Sequence, residues 1–249
     1  MKILVTAKRV TDPDAKIRLK SDLSGIETEG LEFKVNPFCE NAIEAALQIA
    51  EEHDGEVVVV SIGPNEAEQY VRTGLAMGGH RGIRVDYEDE NLDSDLTARI
   101  FAAVFEKEKP DLFLFGKQAV DGDSGQVTQL VAEYLGLPQA SFGSKIELDG
   151  DKANITQEHD GGLQTTSVEL PAIVSADLRL NEPRFASLPG IMKARRKKID
   201  VMSIDDLGVE PSMKVKTVAY EHPPARQAGV LVSSVEELMD KLVNEAKAL

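Results

Sequence analysis

Along the first two-thirds of the chain, short apolar runs alternate with longer stretches in which apolar residues recur at helical spacing. Ile3-Leu4-Val5 and Val57-Val58-Val59-Val60 are unbroken apolar runs, the second β-branched throughout. Runs of that kind suit strands covered on both faces, as in a parallel sheet. Between them Ile43, Ala46, Leu47 and Ala50 predict a helix within 41–50, with Pro37 placed to start it. Ser61-Ile62-Gly63-Pro64 reads as a strand-to-helix turn, and the helix that follows carries Ala67, Tyr70, Val71 and Leu75 until Gly78-Gly79 ends it. A third strand is predicted at Ile83-Arg84-Val85. Asp93 or Ser94 then caps a helix with Leu96, Ile100, Val104 and Phe105 inward, closed by Pro110. Asp111-Leu112-Phe113-Leu114-Phe115 is the next strand, and a helix is expected to open at or near Ser124. Strands and helices alternating at this spacing imply right-handed crossovers, so the fold class is α/β, a doubly wound and mostly parallel sheet.

The last third changes character. Lys145-Ile146-Glu147-Leu148, Ala153-Asn154-Ile155-Thr156 and the stretch 165–170 read as short strands around Asp149-Gly150 and Asp160-Gly161-Gly162, a small β-rich excursion. The run 171–176 reads as one more buried strand, and 181–198 as irregular, proline-punctuated and basic. After Pro223-Pro224 comes a terminal helix, with Ser234 and Glu237 at capping-box spacing and a stripe of Val235, Leu238, Leu242 and Ala246. The expected organisation is an α/β nucleotide-binding domain over 1–220, with a docking loop at about 184–198, and a C-terminal arm over 221–249.

Length and charge narrow the class. The 249 residues carry a net charge of −15, which disfavours general binding to nucleic acid or anionic membranes. A single cysteine excludes a disulfide scaffold and any cysteine-based zinc site, and fits a reducing compartment. No apolar run approaches the ~20 residues of a membrane span, and the opening Met-Lys-Ile-Leu-Val-Thr has no signal-peptide core. The expectation is a soluble, cytoplasmic protein with no direct membrane insertion.

In an open parallel sheet, ligands bind beyond the carboxyl ends of the strands at the switch point. Three loops qualify: those after Val5, Val60 and Phe115. In the third, Gly116, Gly122 and Gly125 permit close backbone approach, and a helix start there would aim free N–H groups at phosphate. An ordinary polar loop is the bland alternative, about as good on spacing alone. No Walker A sequence is present, and no G-x-G-x-x-G follows the first strand. His53, His80 and His222 read as helix-end, turn and tail residues, His159 equally as a site residue or a hairpin residue, and Cys39 as a small buried residue. No nucleophile, acid–base pair or metal-ligand spacing stands out, so no catalytic residue and no metal are assigned. The run Lys193-Ala194-Arg195-Arg196-Lys197-Lys198 follows an apolar patch, Phe185 to Met192. An exposed apolar anchor beside a positive collar suits transient docking of an acidic partner, the charges speeding encounter.

Several long motifs resemble the β (small) subunits of electron transfer flavoproteins. They are Leu4-Val5-Thr6-Ala7-Lys8-Arg9-Val10, Asn36-Pro37-Phe38-Cys39-Glu40, Gly116-Lys117-Gln118-Ala119-Val120-Asp121, and the stretch from Asp160-Gly161-Gly162-Leu163 through Asp177-Leu178-Arg179 to Leu188-Pro189-Gly190-Ile191-Met192-Lys193-Ala194. The resemblance covers essentially the whole chain. It implies a heterodimer with an α subunit and one FAD at the interface, mainly on α. Electrons come from acyl-CoA and related flavin dehydrogenases and go to a membrane ETF:quinone oxidoreductase. It also implies a structural AMP on this chain, held by Thr6, Ala7, Asn36, Pro37, Phe38, Cys39, Ile62, Gly63 and the loop Gly116, Lys117, Gln118, Ala119, Val120, Asp121, Gly122, Asp123, Ser124, Gly125, Gln126, Val127.

By the same resemblance Glu158 approaches the flavin. Leu188 is the anchor of a dehydrogenase recognition loop with Pro189, Ile191, Met192, Lys193, Arg195 and Arg196 around it. Lys193 and Arg196 fall at positions methylated in some relatives, and an arginine at 196 rules out lysine methylation there. Pro13 departs from the family at a position where many relatives carry a tyrosine reaching the flavin. The loop 121–126 also resembles the electron-bifurcating branch, in which a second FAD replaces AMP. The implied setting is the bacterial cytoplasm, or the mitochondrial matrix in a eukaryote.

Overall fold

The apolar runs form strands of one sheet in the computed structural model, which describes residues 1–226 and 228–249. In chain order the first elements are β1 (Lys2–Thr6), β2 (Arg9–Thr11), β3 (Phe33–Val35), α1 (Pro37–His53), β4 (Glu56–Gly63), α2 (Glu68–Met77), β5 (Arg81–Asp86), α3 (Ser94–Glu108) and β6 (Leu112–Gly116). Then follow α4 (Val127–Leu135), β7 (Gln139–Asp149), β8 (Lys152–His159), β9 (Gly162–Glu169), β10 (Ala172–Ala176), α5 (Leu188–Ala194), β11 (Ile199–Ser203) and α6 (Val235–Asp240). The main sheet has nine strands in the order β11-β5-β4-β1-β6-β10-β7-β8-β9. From β11 to β7 neighbours run parallel, and β8 and β9 add an antiparallel meander.

The sheet is buried on both faces, which explains the unbroken apolar strands. Ile3, Val5, Val57 and Val59 pack with α1 and α2 in one cluster. Leu4, Val58, Val60, Phe113 and Phe115 pack with α3 and α4 in the other. Successive side chains of a strand point to opposite faces, so each run divides itself between the two clusters. The doubly wound expectation holds. Winding reverses at β1, which pairs with β4 on one side and β6 on the other, with Val5 opposite both Val59 and Leu114. The carboxyl ends of these three strands therefore meet at the switch point.

Several local expectations need correction. α4 begins at Val127 rather than near Ser124, because Asp123 and Gly125 adopt left-handed conformations (φ 47° and 57°) that interrupt helical propagation. The 181–198 stretch is not irregular throughout: it contains α5, whose start is capped by Ser187 Oγ accepting from the Gly190 N–H at 3.1 Å. β11 was not anticipated; it closes the edge of the sheet by pairing in parallel with β5. At the C-terminal helix, Ser234 caps the Glu237 N–H, while the Glu237 carboxylate bonds Ser233 rather than the Ser234 backbone. α6 gives way to a π-helical turn over Lys241–Glu245, so the 3.6-residue stripe does not continue to Ala246.

Two compact units are present, Met1–Ile17 with Glu27–Val218, and Arg18–Ile26 with Ala219–Leu249. The first contains the whole sheet. In the second, Leu19 and Ile26 form an isolated antiparallel bridge, and Val230, Leu231 and Val235 are exposed. Among the described residues no helix is long and apolar enough to cross a membrane.

The second core cluster centres on Phe113, which is fully buried, with ring centroids 4.1 Å from Phe115, 5.7 Å from Phe101 and 6.5 Å from Phe105. Phe113→Ala is expected to destabilise the chain by about 3–5 kcal/mol, since the neighbours close such a cavity only in part. Urea unfolding followed by circular dichroism measures this; a loss under about 1 kcal/mol would show that the cluster collapses around the smaller residue.

Candidate functional site

The three strand ends at the switch point bring most of the expected cradle residues together. Thr6 ends β1, and the Ala7 N–H donates to the Val60 carbonyl at 2.8 Å, joining the ends of β1 and β4. Asn36 sits at the N-cap of α1, with Pro37 starting the helix as expected. The Asn36 side chain caps nothing. Its Nδ2 donates to the Gln118 carbonyl at 2.8 Å, and its Oδ1 accepts from the Val120 N–H at 3.2 Å, so a single buried amide joins the two loops. Cys39 Sγ lies 3.5 Å from Thr6 Oγ1 and 3.4 Å from Asn36 Nδ2. Cys39 is buried, in keeping with a small interior residue.

The glycines of the loop after β6 differ in what surrounds them. A Cβ on Gly116 would lie 2.7 Å from Phe38 Cβ and 2.9 Å from the Cys39 nitrogen, so the missing side chain lets α1 close on β6. The open space is at Gly122, where nothing lies within 4 Å, and beside Gly125. On β4, the space beside Gly63 is filled by Ala67, and Arg84 Nη1 donates to the Gly63 carbonyl at 3.0 Å. Ile62 is buried in the second core cluster.

The unpartnered donors of this loop are backbone groups. Among the described residues nothing accepts from the N–H of Ser124, Gly125 or Gln126, and the first turn of α4 has no side-chain cap. Helix N-termini leave such donors free and carry a partial positive charge, which suits a phosphate. The acidic side chains of the loop are already claimed. Asp121 is paired with Lys8 Nζ at 2.7 Å, and Asp123 Oδ1 accepts from Gln118 Nε2 at 2.8 Å. Unpartnered backbone donors in a loop with open space at Gly122 are a donor set chemically suited to an anionic group such as a phosphate.

A charge chain that the sequence did not reveal leads away from this loop. Lys117 Nζ donates to Asp177 Oδ2 at 3.0 Å, and Arg179 Nε donates to Asp177 Oδ1 at 2.9 Å. Arg179 Nη1 in turn pairs with Glu158, which is exposed near the end of β8. Burial pushes the Asp177 carboxyl up, but hydrogen bonds from Arg179 and Lys117 outweigh it and bring it down to about 2. His159, next to Glu158, is exposed at the β8–β9 hairpin, and His53 and His80 are exposed at the end of α1 and in the bend before β5. Pro13 is exposed in the turn that the Ala15 N–H closes on the Asp12 carbonyl. Among the described residues no group of three His, Cys, Asp or Glu is placed to hold a metal ion.

The basic run proves to be two different things. Leu188 and Met192 are exposed on α5, and Phe185 just before it is 97% exposed. Pro189, Ile191, Lys193, Arg195 and Arg196 are exposed as well. Ala194 is buried, and the Lys197 ammonium turns inward, donating to the carbonyls of Leu75 at 3.2 Å and Gly79 at 2.5 Å. Burial, with Lys193 nearby, pushes the Lys197 pKa down. Lys198 pairs with Asp200 at 2.5 Å. The segment is also held from its other end. Arg184 Nε bonds the buried Glu44 at 2.7 Å and Arg184 Nη1 pairs with Glu51 at 2.5 Å; burial raises the Glu44 pKa, and Arg184 more than reverses it.

The Asp177 pairings give a defined acid response. The carboxyl has its ordinary value of 3.8 when unpaired and about 2 when folded. Its stabilising contribution is therefore complete above the unfolded value and disappears as pH falls through the folded one. Acid unfolding of Asp177→Asn should lack that loss between roughly pH 4 and 2. Superimposable acid limbs in the two proteins would show that the pairings contribute nothing.

The sequence description "Electron transfer flavoprotein domain" matches residues 24–207. A mitochondrial electron transfer flavoprotein subunit beta of Arabidopsis thaliana is 50% identical over 250 residues, covering 99% of each chain. The electron transfer flavoprotein subunit beta of Homo sapiens is 48% identical over 97% of this chain and 96% of its own length. That of Bradyrhizobium diazoefficiens is 48% identical over the full length of both. With the sheet and its strand-end loops in place, these similarities show that the chain belongs to the electron transfer flavoprotein family, among its β subunits.

Proposed function

We propose that this chain pairs with an electron transfer flavoprotein α subunit. The pair shares one FAD, takes electrons from acyl-CoA and related flavin dehydrogenases, and delivers them to a membrane quinone oxidoreductase. The chain contributes no catalytic residue of its own in this reading: the flavin supplies the electron-accepting chemistry, and the protein supplies binding and orientation. The observation that supports the reading is the β6–α4 loop at the switch point, where the N–H groups of Ser124, Gly125 and Gln126 have no partner among the described residues and open space lies at Gly122.

This reading assigns roles to particular residues. The N–H groups of Ser124 to Gln126 and the start of α4 would hold the phosphate of AMP, and Asn36 holds their loop in place. Glu158 is oriented by its pair with Arg179 on the side assigned to the flavin. Leu188, 80% exposed at the start of α5, is the apolar anchor offered to a dehydrogenase, with Lys193, Arg195 and Arg196 as its positive collar. The arm, residues 221–249, packs on the α subunit, which would cover exposed Leu231 and Val235.

Two measurements test this. After co-expression with the α partner and denaturation of the purified complex, one FAD and one AMP per heterodimer are expected. Two FAD and no AMP would make the pair a bifurcating one, and neither nucleotide with no α subunit retained would sink the reading. In turnover with an acyl-CoA dehydrogenase, Leu188→Ala should raise the KM for the complex by about tenfold or more at unchanged FAD content. An unchanged KM would remove the docking assignment.

A further inference from the structure

We infer that Lys197, Gly190 and Arg72 are positioning residues for dehydrogenase docking: they lock the anchor helix α5 onto the end of α2, so that Leu188 is presented in one orientation before any partner arrives. The inference rests on the docking reading of α5 and adds what sets the anchor's geometry.

Three independent contacts converge on the same short helix. Gly190 lies so close to α2 that a Cβ there would sit 2.5 Å from the Ala76 carbonyl oxygen. Arg72, held by Glu68 through Nε at 2.9 Å, donates Nη1 to the Ala194 carbonyl at 2.8 Å, at the last residue of α5. Lys197, one turn further on, spans the Leu75 and Gly79 carbonyls at the carboxyl end of α2. The Leu75 and Ala194 carbonyls lie in the last turns of α2 and α5, where a helix leaves carbonyls without intrahelical partners, and Gly190 lacks a side chain that would force the helices apart. A seven-residue helix is too short to hold its shape by its own hydrogen bonds. Its order comes from α2.

Preorganisation matters here because an exposed apolar side chain on a loose loop must be ordered on binding, and that cost is subtracted from affinity. Lys197 belongs by sequence to the basic run, yet its ammonium is spent internally. It is therefore separable from the steering charges Lys193, Arg195 and Arg196 by experiment.

The test uses the intact heterodimer and an acyl-CoA dehydrogenase, with KM for the heterodimer, kcat, FAD content and the dependence of the association rate on NaCl as readouts. Lys197→Met should raise KM about three- to tenfold with kcat and FAD content unchanged, and with the same salt slope as the parent. Arg196→Gln, by contrast, should flatten the salt slope. A Lys197→Met protein with a flattened slope would make Lys197 a steering charge and overturn the inference, as would an unchanged KM. Gly190→Ala provides the second probe and decides the matter if Lys197→Met does not assemble: a raised KM at normal FAD content is expected, and an unchanged KM refutes the locking role. Leu188→Ala, measured alongside, separates the two failures. If it leaves KM unchanged, the docking reading itself has failed; if it raises KM while Lys197→Met and Gly190→Ala do not, only the locking role is lost.

Discussion

A buried asparagine amide that declines its local role organises the carboxyl edge of the sheet. Asn36 stands at the N-cap of α1, where such a side chain ordinarily accepts from the helix's own first turn. Here both of its polar atoms reach across the switch point to the Gln118 carbonyl and the Val120 N–H. The Cys39 N–H, which such a cap could take, bonds the Asn36 carbonyl instead at 2.8 Å. Gly116 completes the arrangement by having no side chain where Phe38 and Cys39 pack. The loop between β6 and α4 is thereby held against α1, and its free N–H groups and open glycines lie where three strand ends converge.

Charge is managed by the same logic. The chain carries a net −15, yet carboxylates around the cradle are paired within the molecule, Asp121 with Lys8 and Asp177 with Lys117 and Arg179. This leaves the backbone dipoles of the loop as the groups available to an anion. Arg179 also extends the chain to Glu158, so that one continuous set of pairs runs from the cradle to the β8–β9 meander. The basic run before β11 obeys the opposite division, with Lys193, Arg195, Arg196 and Lys198 exposed, the last paired with Asp200, and Lys197 turned onto the end of α2.

The chain belongs to the electron transfer flavoprotein family. In flavin proteins the chemistry resides in the cofactor, and the polypeptide supplies position, electrostatics and encounter surfaces. The architecture suits that division, since a sheet buried on both faces is a rigid base from which loops and a short helix can be presented.

What the sequence determined by itself was everything encoded locally. The apolar runs at β1, β4 and β6, the helical spacing of α1 and α3, the Asp93 cap and the hairpin glycines were all legible, because each depends on neighbours a few residues away. The motifs of the cradle and of α5 were legible as family resemblance. The start of α4 was misplaced because Asp123 and Gly125 take left-handed conformations set by their surroundings. β11 was missed because its residues are only partly covered and its strand exists through pairing with β5. Tertiary structure alone decided which cations are free and which are spent. It did so because those pairings join residues far apart in sequence, 60 positions for Lys117 and Asp177, 122 for Lys197 and Leu75, and 140 for Arg184 and Glu44. Periodicity cannot register contacts at that range; only the folded sheet brings them within hydrogen-bonding distance.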